Sequence, residues 1–580
     1  MKPPTTSTLD ATTMTPSTLD LFILTFNCAK NLINTSVFAA HLYGALTQNA
    51  TGLPDLVVFS LQEVAPLSYA FIGSYFLNPY YARFGEALNL ASERVLAAAA
   101  DDANGRDASS SSSAARPPYT LVRSKNVGMT SILLYARDPA AIRKIEEAEC
   151  GFGAADIGNK GAVGLRVTWS DSASSGGTPR TTELTFVAAH LAAMEWNLKK
   201  RNSNWRSIVS GLTFANPRAV LPGLFPPADP SLPPTPDRSG AGDIAPPPPP
   251  PPRPTRLPTG DSPDPSEEEP ESDGEEDEDG DTHPLLPTTT TTTTTPPPPY
   301  DREARAALHA LSVYKPTAHL FVAGDLNYRI GSTTPPPLAA FPSLDPASEH
   351  YFPAFFARDQ LTREREAGRT MHGLSEAEVR FAPTYKLDVL PPAASGDDGQ
   401  AEAEAEAEAE VVPWQFAPHR WPSWCDRVLY LDVPAWAAAK AAAADGHGHG
   451  HGHGDDGPML RVDVRAYDAL PVVRTSDHRA VFFRARVPVL GEDEMRPPPE
   501  MVAEAEAEAE AERAAAAKLD PRLRLPVPVD VHAWERRAAA RRKELVIGWS
   551  AYVWSTREGA LLLATALAVG VGGWWLWRAW

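Results

Sequence analysis

Cysteine is nearly absent: Cys28, Cys150 and Cys425 are the only three in 580 residues, too few and too scattered for a disulfide framework or a zinc cluster. A reducing compartment follows. The first twenty residues, rich in Thr, Ser and Pro, lack the apolar core of a secretory signal, so the chain is expected to begin in the cytosol. The charge pattern shows no extended basic surface, which argues against nucleic acid as a partner. The formal net charge of -20 suggests an acidic protein, but the excess is local. Asp261 to Asp281 holds 13 carboxylates and no Lys or Arg, and Ala-Glu repeats at Glu402 to Glu410 and Glu504 to Glu512 add ten more. These exceed the whole imbalance, so the remainder is close to neutral and leaves room for a basic pocket around an anionic substrate.

With 59 prolines and long biased stretches, much of the chain has no capacity to pack into a core, and one large domain over 19-490 is the expectation. Apolar runs rich in β-branched residues predict strands at Leu21 to Phe26, Asp55 to Leu61, Ser131 to Ala136, Ala162 to Thr168, Glu183 to Ala188 and His319 to Ala323. Three more fall at Arg427 to Val433, Leu460 to Val464 and Ala480 to Val487. Helical stretches at Asn197 to Leu212 and Arg302 to Val313 lie between them, so sheet and flanking helices are mixed in one α+β domain. A disordered N-terminus (1-18) and disordered insertions near 99-118, 217-299, 394-412 and 440-457 are expected from low hydrophobicity and high local charge. The proline run Pro246 to Pro252 suits a polyproline helix for proteins that bind proline-rich motifs, although such tracts more often act as spacers. His447, His449, His451 and His453 sit in a flexible Gly-His repeat that defines no coordination geometry for a metal.

One long hydrophobic run exists. Gly559 to Trp577 is 19 residues without a charge, and as a helix it spans ~28 Å, close to the hydrocarbon thickness of a bilayer. Arg536, Arg537, Arg541, Arg542, Lys543 and Arg557 precede it and only Arg578 follows, which places the large domain on the cytosolic side of a transmembrane tail anchor. Modest length and several glycines suit the thin bilayer of the endoplasmic reticulum. The stretch 491-558, with its acidic repeat and basic juxtamembrane segment, reads as a linker of about 70 residues that reaches ~45 Å as a coil.

Polar residues suited to chemistry follow the strands: Asn27, Gln62-Glu63, His190, Asp325 with Asn327, and Asp477-His478. One carboxylate with amide oxygens and waters suits Mg²⁺, a hard ion that often shares its site with phosphate. Singly, each has an ordinary structural explanation: Asn27 caps a turn, Glu63 begins a loop, His190 is a satisfied core histidine. In order, however, the chain presents Thr25-Phe26-Asn27, Leu61-Gln62-Glu63, Gly158-Asn159-Lys160-Gly161-Ala162-Val163, His190-Leu191-Ala192-Ala193 and Arg201-Asn202. It continues with Gly324-Asp325-Leu326-Asn327-Tyr328-Arg329, Pro383-Thr384-Tyr385-Lys386, Pro422-Ser423-Trp424-Cys425-Asp426-Arg427 and Ser476-Asp477-His478-Arg479. This series resembles the inositol polyphosphate 5-phosphatases, of the superfamily that includes deoxyribonuclease I. The resemblance implies a four-layer α/β/β/α sandwich, two facing mixed sheets with outer helices.

It also implies roles. Glu63 and Asn27, with Asp477 in the same network, hold Mg²⁺; Asp325 orients or deprotonates the attacking water; Asn327 and His190 contact phosphate; and Asp426 holds His478 as the remaining acid/base unit. Tyr385, Lys386 and Arg420 match the positions that select a neighbouring 4-phosphate, with Arg427 and Lys160 adding positive charge. Pro418 stands where a second base often precedes Arg420. The expected substrate is a phosphoinositide headgroup in a membrane, cut by a monomer. A nuclease or neutral sphingomyelinase shares the Asn, Glu, Asp-x-Asn and Asp-His set, and Lys386 argues against both. A non-catalytic membrane scaffold is disfavoured because every acid/base position is retained.

Overall fold

The computed structural model describes residues 17-104, 116-153, 156-171, 179-223, 302-391, 412-444, 460-511 and 519-580. The strands β1 (Thr18–Asn27), β2 (Leu56–Gln62), β3 (Thr120–Val127) and β4 (Thr130–Ala136) join β12 (Asp463–Ala469) and β13 (Val481–Pro488) in a six-stranded sheet ordered β12-β13-β1-β2-β4-β3. A five-stranded sheet, ordered β11-β8-β7-β6-β5, contains β5 (Ile142–Gly151), β6 (Gly161–Ser170), β7 (Thr181–His190), β8 (His319–Asp325) and β11 (Asp426–Leu431). A small ribbon pairs β9 (Leu387–Val389) with β10 (Trp414–Phe416). Both large sheets are mixed: β1 runs parallel to β2 and β7 parallel to β8, while their other pairings are antiparallel.

The strands are apolar on both faces because each sheet is covered twice. Along β1, Ile23 faces the opposing sheet and joins Val58, Leu134, Leu165, Phe186, Phe321 and Val428 in the central core. Phe22 and Leu24 alternate to the outside. There they meet Phe38 and Leu42 of α1 (Thr35–Thr47) and Phe84 and Leu88 of α3 (Asn78–Asn104), with α2 (Leu67–Ile72) between those helices in sequence. On the far side, Val187 and Val322 pack against Trp205 and Ile208 of α4 (Leu198–Gly211). The order is therefore helix, sheet, sheet, helix, the expected sandwich. Each fully buried Leu, Ile or Phe contributes roughly 1.5–3 kcal/mol, so the three clusters supply most of the stabilisation.

The predicted strands appear, with β12 displaced a few residues along the chain, and α4 and α5 (Arg302–Leu311) match the predicted helices. Two long strands escape the apolar-run criterion. β3 and β5 carry Arg123, Lys125, Lys144, Glu146, Glu147 and Glu149, and each is the edge of its sheet. Edge strands tolerate charge, which also discourages pairing with other chains.

The linker expectation is corrected. Among described residues of 491-558, the second Ala-Glu repeat forms a helix, α8 (Pro499–Ala511), that follows α6 (Gln360–Glu366) and α7 (Ala435–Ala444). Ala is the best helix former and Glu a good one, and Ala505 and Ala509 are buried. Leu525 and Val527 pack on the outer cluster around Trp205. α9 (Ala533–Ser555) lies against the domain through Arg537, Ala540, Glu544, Gly548 and Tyr552. These are packed segments, so the ~45 Å reach of a coil does not apply to them. α10 (Arg557–Ala579) follows, capped by the Thr556 hydroxyl on Gly559. α3, α7 and a short helix at Pro217–Val220 occupy the first residues of three expected insertions; the proline run, the acidic tract, the Gly-His repeat and the first Ala-Glu repeat lie outside the described residues.

Candidate active site

Strand register brings the chemistry to one end of the sandwich. In the five-stranded sheet, His190 at the end of β7 is opposite Asp325 at the end of β8, and Asp325 is opposite Asp426, the first residue of β11. In the facing sheet, Asn27 pairs with Gln62 at the ends of β1 and β2, and Glu63 comes next. A slip of one residue in any of these pairings would turn the side chain to the other face. Asn27 bridges the two sheets, its Nδ2 donating to Asp325 Oδ2 at 3.1 Å while its Oδ1 accepts from the Ala29 amide at 3.1 Å.

Asp325 is the hub, fully buried beside two histidines. Its Oδ2 is 3.4 Å from His190 Nε2 and 3.9 Å from His478 Nε2, and its Oδ1 accepts from the Asn327 amide at 3.1 Å. Burial alone would raise its carboxyl, but His190, His478 and Arg329 hold it well below the usual carboxylate range. On the other ring nitrogen of His478, Nδ1 is 2.9 Å from Asp426 Oδ2, which also accepts from the Thr384 hydroxyl at 2.7 Å. Burial works against a charged His478, yet Asp426, Asp325 and Asp477 carry it above the ordinary imidazole value, to about 9. His190 moves the opposite way, lowered by burial and by Lys160, whose Nζ is 2.9 Å from His190 Nε2. One histidine is therefore held charged and its neighbour neutral, a separation expected of an acid/base site.

Glu63 adopts φ +46°, and Lys30 Nζ is 3.5 Å from its carboxylate. Burial opposes ionisation, but His190, Lys160, Lys30 and His478 lower its value. Its side chain is 23% exposed, so solvent reaches an ionised oxygen donor. Asn327, also in the left-handed region, donates Nδ2–H to the Leu191 carbonyl at 3.1 Å and accepts from Arg329. The tightest acidic grouping among described residues is Asp325, Asp426 and His478, but an imidazolium bonded to Asp426 donates protons and is no metal ligand.

The Tyr385 ring lies 4.4 Å from the His478 ring, tilted by 35°, and under the Arg329 guanidinium at 4.4 Å. Lys386 Nζ is 2.9 Å from Asp477 Oδ2. The Asp477 carboxylate, expected in the metal network, is thus paired with Lys386. Arg420 is partly exposed and contacts Met194 Sδ at 3.7 Å.

Arg427 is corrected outright. It is fully buried, bidentate to Glu376 at 2.6 and 2.6 Å, with Asp359 at 3.1 Å. Adjacent strand residues face opposite sides, so Asp426 points to the site and Arg427 away from it; the arginine holds the scaffold. Two further residues act at the site without having been singled out. Arg329 orients Asn327 and covers Tyr385, and Thr384 holds Asp426. Both lie inside the quoted sequence blocks, but nothing short of the fold distinguishes them from scaffold.

Residues 24–232 and 290–484 match the family model described as Endonuclease/Exonuclease/phosphatase family 2. Similar curated proteins include type II inositol polyphosphate 5-phosphatase 15 of Arabidopsis thaliana, 30% identical over 159 residues, covering 27% of this chain and 11% of the relative. Phosphatidylinositol polyphosphate 5-phosphatase type IV of Rattus norvegicus is 31% identical over 170 residues, or 29% of this chain and 19% of the relative. The matched segments thus span less than a fifth of these relatives. A solved inositol polyphosphate 5-phosphatase domain of a synaptojanin, in complex with inositol (1,4)-bisphosphate and calcium, aligns with TM-score 0.42 and 17% identity, over 85% of this chain and 93% of that one. With its family model matched over both sheets and every strand end that carries the site, the chain belongs to the endonuclease/exonuclease/phosphatase family 2.

Proposed function

We propose that the chain hydrolyses the 5-phosphate of phosphatidylinositol 4,5-bisphosphate, and of other 5-phosphorylated phosphoinositides, at the cytosolic face of a membrane. The observation that carries this reading is the meeting of buried Asp325 with His190 at 3.4 Å and His478 at 3.9 Å, with Lys160 Nζ 2.9 Å from His190 and Asp426 2.9 Å from His478. Such a site receives a phosphate between cationic donors while keeping one carboxylate to orient water. Phosphoryl transfer depends mainly on positioning and charge stabilisation, so no covalent enzyme intermediate is required.

Asp325 orients or deprotonates the attacking water. Lys160, His190 and the second amide hydrogen of Asn327 meet non-bridging phosphate oxygens, and His478 places its proton toward the same group. Glu63 and Asn27 fit magnesium: Glu63 is ionised and solvent-accessible, and the Asn27 carbonyl, bonded to one amide, keeps a lone pair. A magnesium ion held by these two residues would supply charge neutralisation to the phosphate and its leaving oxygen. Tyr385, Lys386 and Arg420 receive the neighbouring 4-phosphate, which competes with Asp477 for Lys386. The names of the curated relatives and the position of Lys386 favour a phosphomonoester over a nucleic-acid or sphingomyelin substrate.

Gly559–Ala579 is long and apolar enough to cross a membrane, and its side chains are largely exposed, Val569 at 70% and Trp577 at 80%. It serves here as a membrane anchor, in the endoplasmic reticulum. The full-length protein in detergent with Mg²⁺, offered short-chain phosphatidylinositol 4,5-bisphosphate, other phosphoinositides, sphingomyelin and abasic DNA, should release phosphate from the phosphoinositides alone. Release that survives Asp325→Ala would sink the assignment. Deleting 559-580 should free the protein from cell membranes, and continued retention would show that another segment holds it.

A further inference from the structure

The helix beside the membrane segment has an inward face that is charged. On α9, Glu544 is completely buried, and its Oε1 accepts the backbone N–H of Gly158 at 2.7 Å. Arg537 engages both oxygens of Glu544, at 2.5 and 2.9 Å, and donates through Nε to Glu149 Oε2 at 3.0 Å. The Asp156 carbonyl accepts from Arg537 at 3.0 Å, and the Asp156 carboxylate from Arg536 at 2.9 Å. α9 thus grips the end of β5 at Glu149 and the β5–β6 connection at Asp156 and Gly158. Two residues further on, Lys160 reaches His190.

The grip leaves the loop little slack. A Cβ on Gly158 would come within 2.4 Å of Val127 Cγ1 and 3.2 Å of Glu544 Oε1, and one on Gly128 would strike the Gly158 carbonyl oxygen at 1.5 Å. The Phe152 amide donates to the Lys160 carbonyl at 3.0 Å, closing the loop on itself. On its other flank, Arg541 donates to the Phe71 carbonyl at 2.5 Å and the Ile72 carbonyl at 3.3 Å, at the end of α2 shortly after Glu63. A buried carboxylate is costly unless its lone pairs are filled; here Arg537 and Arg541 of α9 itself fill most of them, and the one donor from the Lys160 loop is the Gly158 amide.

We propose that Glu544 is a positioning residue: by capping the Gly158 amide it sets the Lys160 loop against His190, which makes α9 part of the catalytic unit. The proposal rests on the phosphate-binding reading of Lys160 and His190, and predicts that a chain cut before Glu544 is impaired even with every catalytic residue present.

The test uses full-length protein in detergent with short-chain phosphatidylinositol 4,5-bisphosphate, and four variants: Glu544→Ala, Glu544→Gln, Lys160→Ala and the Glu544→Ala/Lys160→Ala double. Glu544→Ala should lower kcat/KM about tenfold, the scale of one lost charge-assisted hydrogen bond, and hydrogen exchange at Gly158 should accelerate. Glu544→Gln keeps an acceptor and should stay within about threefold of wild type. In the double variant the losses should not multiply, because both act through one group. Multiplying losses, or unchanged Gly158 exchange in Glu544→Ala, would overturn the proposal. Should the alanine variant fail to fold, a folded Glu544→Gln with normal Gly158 protection and tenfold lower activity would overturn it equally. Full activity in Lys160→Ala would refute the reading of Lys160 itself, while Gly158 exchange still decides what Glu544 holds.

Discussion

Replacing Asp426 by Asn keeps the shape of a fully buried side chain and removes the charge that faces His478 Nδ1 at 2.9 Å. Burial works to neutralise His478, and Asp426, Asp325 and Asp477 together carry it up to about 9. A hydrogen bond between charged partners is worth roughly 1.5–3 kcal/mol, and one pKa unit corresponds to about 1.4 kcal/mol. Losing the Asp426 contact should therefore lower the His478 value by about one to two units. If His478 acts in its charged form, the alkaline limb of kcat/KM moves down by the same amount, and activity at pH 8 falls about two- to tenfold. The stability linkage has a definite sign. His478 is raised above its unfolded value near 6.5, so its contribution is fully present below about pH 6.5 and is lost as pH rises through about 9. Asp426 is itself raised by burial, to about 6, and Asn relieves that cost, so the net stability loss is smaller than the energy of the pair. The assay is phosphate release from pH 5.5 to 10, with a parallel NMR titration of His478. An alkaline limb that does not move in Asp426→Asn would refute the assignment of His478 as the charged group.

Arg427→Gln should destabilise without altering KM. Removing one member of a buried ion pair costs about 3–5 kcal/mol, and Glu376 and Asp359 would be left facing each other; thermal melts and steady-state kinetics check this. Gly324→Ala should be worse for its size, because a Cβ there would sit 1.9 Å from the Ala189 carbonyl oxygen. Prising β8 from β7 displaces both Asp325 and His190, so activity and Tm should fall together. Glu63→Gln should raise the Mg²⁺ concentration needed for half-maximal activity by at least about tenfold, since the donor keeps an oxygen but loses its charge. An unchanged requirement would remove Glu63 from the metal site.

Much of the site could be read before folding, for a physical reason. Asn27, Glu63, His190, Asp325 and Asp426 stand at or beside strand ends, where an apolar run stops and a polar residue reaches the rim. The run and its interruption are both visible in one dimension. The same criterion missed β3 and β5, whose charges suit edge strands, and it misjudged 491-558, where alternating Ala and Glu looked like a solvated spacer and form the helix α8.

By itself, the sequence determined most of the apolar strands, the order of the chemical groups, and a segment apolar enough to span a bilayer, because hydrophobic pattern and length are local properties. Only the tertiary structure decided which groups share a proton and which share a scaffold. Asp426 and Arg427 are chain neighbours that alternate to opposite faces, one on His478 and the other on Glu376. Glu544 lies 386 residues from Gly158 and meets it only because α9 folds back. No spacing in the chain encodes that contact; it follows from where a buried carboxylate finds its donors.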